Sequence, residues 1–174
     1  MSDKVKSHFH ITISGITDNE LLAIAKACKC KATNIDLVTS KGIIRDRMIT
    51  GYQLGICNKK VKEISNIIKS MGFNVKRIKL EADLLSYIKH IGKPNFSKYY
   101  IETHFHIKSK NEVSGNFVFS SNPSSNGKIF ANYRGYSLSD MDYIINYTKN
   151  KGNVHLELCI LDTNKDHDLD WWMS

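Results

Sequence analysis

Two short stretches of this sequence repeat one pattern of ionisable side chains, His8-Phe9-His10-Ile11 and His104-Phe105-His106-Ile107. In an extended chain such alternation sends both imidazoles to one face and the apolar pair to the other. The polar phase continues to Thr12 in the first copy, and to Glu102 and Lys108 around the second. His155 and Glu157 alternate in the same way on a third stretch, so five of the seven histidines fall on three candidate strands. Two kinds of chemistry suit such a set. Facing imidazoles, which titrate near neutrality, can act as general base and general acid. Imidazoles with carboxylates can instead form the first shell of zinc, iron or manganese. Any one of these histidines has an ordinary reading as a partly buried residue with a satisfied hydrogen bond, but the whole set in matching phase reads as the lining of a cleft.

The elements that must position these groups follow from periodicity. Ser7 to Gly15 alternates as a strand, with Phe9, Ile11 and Ile13 opposite His8, His10 and Thr12. Thr17 and Glu20 form the T-x-x-E signature of a capping box, opening a helix that ends near Cys30. A strand is expected from Thr33 to Thr39, a charged loop from Ser40 to Thr50, and a strand from Gly51 to Cys57. Val61, Ile64, Ile67, Ile68 and Met71 mark an amphipathic helix stopped by Gly72, and Val75 to Ala82 reads as a strand. The resulting order, β-α-β-β-α-β, is the split-βαβ or ferredoxin-like one.

Beyond a connector at 84–98, the pattern begins again. A strand from Tyr99 to Lys108 carries the second histidine pair, a Ser/Asn/Gly-rich segment from Asn116 to Gly127 reads as a loop, and a strand follows near Lys128 to Arg134. A helix over Ser137 to Asn150, a stop at Gly152 and a strand from Val154 to Leu161 complete the series. Both copies end on helix, glycine, Asn-Val and strand, with Asn74-Val75 and Asn153-Val154 as the matching joints. These parallels predict an internally duplicated α/β fold: a first ferredoxin-like half at 1–83, a shortened second half at 99–162, antiparallel sheets with helices outside, and a central polar cleft in which the strands starting at Ser7 and Tyr99 neighbour each other.

His10-Ile11-Thr12-Ile13 resembles the H-x-T-x motif of the two-histidine phosphoesterase superfamily, which includes ligT-like RNA 2′,3′-cyclic phosphodiesterases. The resemblance implies a bilobal fold with one such strand in each lobe. It also implies a hydrolase acting on a nucleotide or a cyclic phosphate at an RNA end without a cofactor. His10 and His106 would then be the acid–base pair, Thr12 and Lys108 would bind phosphoryl oxygens, and His8, His104 and His155 would line the substrate site. The second copy reads His106-Ile107-Lys108-Ser109, with lysine where the motif has threonine. Two alternatives stand beside it. One is a metal-dependent enzyme resembling the vicinal-oxygen-chelate group, with zinc, iron or manganese held by residues among His8, His10, His104, His106, Glu102 and Glu157. The other is a non-catalytic nucleotide- or RNA-binding module.

Composition sets outer limits on these readings. The chain has 174 residues, with 25 Lys+Arg against 17 Asp+Glu and a net charge of +8. The excess lies before Glu112, which suits a phosphate-bearing partner as well as a solvated lysine surface. No apolar run approaches a bilayer span and the start MSDKVKSHFH lacks a secretory pattern, so a cytoplasmic protein without membrane contact, a monomer or weak dimer, is expected. Cys28, Cys30, Cys57 and Cys159 lack the spacing of a zinc site and read as reduced thiols. The ending at 163–174 alternates acids with His167 and closes on Trp171-Trp172. It lacks the glycine and final glutamate of an EF-hand, so it reads as a capping tail or a lid.

Overall fold

In the computed structural model, which describes residues 2–39, 42–122, 126 and 128–164, local chemistry sets most element boundaries. Strand β1 (Lys6–Ser14) buries Phe9, Ile11 and Ile13. Helix α1 (Asp18–Ala27) opens on the reciprocal capping box: the Thr17 hydroxyl accepts from the Glu20 N–H, and the Glu20 carboxylate accepts from the Thr17 N–H. Strands β2 (Lys31–Thr39) and β3 (Gly42–Leu54) lead to α2 (Lys59–Ser70), which stops before Gly72 at φ +85°, a conformation glycine adopts without steric cost. Strand β4 (Asn74–Asp83) and helix α3 (Leu84–His90) follow, then β5 (Tyr100–Ile107), β6 (Val118–Asn122) and β7 (Lys128–Gly135). Helix α4 (Leu138–Thr148), capped by Ser137, and β8 (His155–Asp162) complete the order.

Three segments differ from the sequence reading. The charged stretch expected as a loop is, from Gly42 onward, the first part of a 13-residue strand. Its charges are partnered rather than solvated: Arg45 donates twice to Asp36, its register neighbour on β2, at 2.7 and 2.9 Å, and Arg47 donates to Asp18 at 2.6 Å. The connector holds α3, whose first turn is capped by the Asp83 carboxylate. The expected loop from Asn116 contains β6, and the tail from residue 165 onward lies outside the described residues.

The larger correction concerns the architecture. All eight strands form one closed antiparallel barrel in the order β1-β3-β2-β6-β7-β5-β8-β4, returning to β1. This replaces the expected α/β arrangement of two ferredoxin-like halves flanking a cleft. β1 lies between β3 and β4, and β5 lies between β7 and β8, so the strands carrying the two HFHI segments are not neighbours. The physical reason is the sheet edge. Two separate four-stranded sheets would leave β2, β4, β6 and β8 as bare edges, whereas the β4·β8 and β2·β6 joints give each of them a second neighbour.

Closure also divides the residues by face. The buried apolar core, including Phe9, Ile11, Ile49, Leu80 and Leu158, lies on the outer face of the barrel. Helix α1 contacts β2 and β3, α2 contacts β1 and β4, and α3 contacts β4 and β8. Opposite Phe9 stands Gly51, where an added Cβ would fall 2.2 Å from the aromatic ring. The inner face carries most of the polar and ionisable side chains, mixed with apolar ones such as Ile35, Met48 and Phe130, around a cavity of about 910 Å³ lined by His8, His10, Lys79, Glu81, His104 and Glu157 among others. Among the described residues no helix is long and apolar enough to cross a membrane.

Candidate functional site in the barrel lumen

The site is built where β1, β4, β8 and β5 lie side by side. Alternation on β4 buries Ile78, Leu80 and Ala82 outward and turns Arg77, Lys79, Glu81 and Asp83 to the lumen. Cross-strand pairing sets His8 opposite Glu81 and His10 opposite Lys79. His8 Nε2 lies 3.1 Å from Glu81 Oε2, and His10 Nε2 lies 3.2 Å from the same oxygen. The other Glu81 oxygen pairs with Lys79, which also reaches Glu102.

A second cluster faces the first. β8 brings Glu157 and His155 beside His104 on β5, and the His104 and His155 rings stack with centroids 5.2 Å apart. Glu157 belongs to both clusters: Oε1 is 3.1 Å from His8 Nε2, while Oε2 is 3.8 Å from His104 Nδ1. Within His8, His10 and Glu81, and again within His104, His155 and Glu157, one potential ligand atom per residue falls within 4.8 Å of the others. Glu81 Oε2 and Glu157 Oε2 are buried acceptors without an aligned hydrogen bond, whereas Glu81 Oε1 has the Lys79 ammonium against it.

Support behind the first cluster is more developed. His10 Nδ1 lies 2.8 Å from the Thr50 hydroxyl, itself 3.3 Å from Thr33 Oγ1. A hydroxyl can donate to or accept from the ring, so with the proton on Nδ1 the Nε2 lone pair points toward Glu81.

Burial and charge push the titrating groups apart. For His8, burial favours the neutral ring, but Glu157 and Glu81 outweigh it and raise the pKa to about 10. His10 and His104 are lowered, chiefly by burial. Burial would raise Glu81, but Lys79 and the two histidines hold it well below the usual carboxylate range. Glu157 is raised by burial and by repulsion from Glu81. Two neighbouring carboxylates held in different protonation regimes are a frequent mark of a functional site.

Of the sequence candidates, His8, His10, Thr12, Glu102, His104, His155 and Glu157 all line the lumen. His106 and Lys108 are exposed and lie outside that lining; His106 packs instead against Phe130, with ring centroids 6.1 Å apart. Glu81, Lys79 and Thr50 were not among the candidates. For the two β4 residues the signal was present, because Arg77, Lys79, Glu81 and Asp83 alternate with Ile78, Leu80 and Ala82 as His8 and His10 do with Phe9 and Ile11. All four cysteines are free thiols.

Comparison with known proteins returns no match: no family model, no curated protein and no solved structure is similar to this chain.

Proposed function

We propose that the protein is a metal-dependent enzyme whose divalent ion is held in the barrel lumen by His8, His10 and Glu81. The observation that carries this reading is the convergence of two imidazole nitrogens on one buried carboxylate oxygen that has no hydrogen bond. Two histidines and one carboxylate occupy three positions around a cation and leave the rest open, as catalytic rather than structural sites do, and the ion would displace the proton that Glu157 and Glu81 hold on His8. Thr50 behind His10 and Lys79 behind Glu81 supply the outer contacts that orient such ligands. The open side faces a cavity of small-molecule size. The ion would act there as a Lewis acid on an oxygen donor of the substrate or on water.

The two-histidine acid–base reading fits less well, because its second member, His106, is exposed and lies outside the cavity lining to which His10 belongs. Metal analysis of protein purified without a histidine tag, followed by titration with iron(II), manganese(II) and zinc(II), tests the proposal. Tight binding of at least one equivalent is expected, with one equivalent fewer in both His10→Ala and Glu81→Gln. If none of the three ions binds above a bovine serum albumin control, the reading is wrong.

A further inference from the structure

The second cluster has no part in that reading, and one of its atoms needs an explanation. Glu157 is only 4% exposed, yet Oε2 is a buried acceptor without a hydrogen bond, with His104 Nδ1 too distant, at 3.8 Å, to supply one. Leaving a buried carboxylate oxygen unsatisfied costs at least as much as leaving a neutral polar group so, and such an atom calls for a partner. The side chains around it are the two stacked imidazoles of His104 and His155, which supply lone pairs as readily as protons. Its other oxygen stands 3.1 Å from His8, a member of the first cluster.

We propose a second divalent-cation site formed by His104, His155 and Glu157, with Glu157 bridging it to the first so that the lumen holds a pair of ions. The inference rests on the reading of His8, His10 and Glu81 as a metal site and extends it to a dinuclear centre. A syn–syn carboxylate bridge has one oxygen on each ion, and Oε1 and Oε2 of Glu157 already face different clusters. Two-metal centres hold their ions about 3.5–4 Å apart and act on substrates whose oxygens span both. The ligand class implied is therefore a small molecule with two adjacent oxygen donors, such as a phosphoryl or carboxylate group, rather than one with a single carbonyl.

The test is manganese(II) stoichiometry and paramagnetic resonance on the full chain. Wild type should bind two ions and show the broadened spectrum of an exchange-coupled pair. His155→Ala, at an exposed position, should bind one ion and give the sharp six-line signal of isolated manganese. Glu157→Gln should likewise lose the coupling. One ion in wild type, unaffected by His155→Ala, would overturn the second site while leaving the first intact. No bound ion in wild type would overturn both. Should His155→Ala fail to fold, the wild-type stoichiometry and coupling decide the matter alone.

Discussion

The barrel closes along two seams, and they are unlike. At β4·β8 the register runs from Lys79↔Asp162 to Asp83↔Glu157, and the joint carries buried charge: Arg77 donates to both oxygens of Asp162 at 2.8 and 2.6 Å, and the Tyr100 hydroxyl donates to Asp162 at 2.7 Å. At β2·β6, among the described residues, only Asp36↔Ser121 and Leu37↔Ser120 are in register. The two seams therefore differ both in the length of their backbone pairing and in the side chains beside it. Both His/Glu clusters stand at the charged seam. A site that must hold several ionised groups at fixed distances belongs where the strands cannot slip, and the bidentate Arg77–Asp162 pair fixes the register there.

The largest effect should come from breaking the strong seam. Asp162→Asn leaves Arg77 mostly buried without its counter-charge and should cost about 3 kcal/mol, read as a lower urea midpoint. The same seam should respond to acid. Asp162 is shifted down to about 2, because Arg77 and Tyr100 outweigh its burial. A depressed carboxylate contributes stability that is full above its unfolded pKa near 4 and is lost as pH falls through about 2. Wild type should therefore lose roughly 2 kcal/mol between pH 5 and pH 2 that Asp162→Asn does not lose, and parallel losses in both proteins would break the argument.

Away from either seam, Gly51→Ala drives a methyl into the Phe9 ring and should cost about 1–3 kcal/mol without changing which seam opens first. The smallest signal lies in hydrogen exchange. Amides of β6 next to β2 should exchange faster than those of β4 facing β8, and equal protection would show the seams to be energetically alike.

How much of this was legible in the sequence depended on range. The capping box at Thr17 and Glu20, the stop at Gly72 and the alternation of β1 act within a few residues, and each boundary could be read directly. Strand β3 was hidden because Arg45, Asp46 and Arg47 look solvated until Asp36, Asp18 and Lys76 are set beside them. Closure was hidden for the same reason at longer range: nothing local in β4 names β8 as its partner. The histidines were visible as a set, yet Glu81, on which His8 and His10 converge, passed as an ordinary strand residue. His106 shares the phase of His104 but lies one step further along the strand, beyond the cavity lining.

Closure has a consequence during synthesis. β4 is made well before β8, its partner, and β2 before β6, so a nascent chain presents two bare strand edges for as long as the ribosome takes to add the intervening residues. In that interval the outer core can condense under α1 and α2, while Arg77 and Lys79 of β4 still lack Asp162 of β8 and Glu102 of β5. Their charge on an unpaired edge works against premature association with another chain, so groups that later face the lumen would first serve as guards during folding.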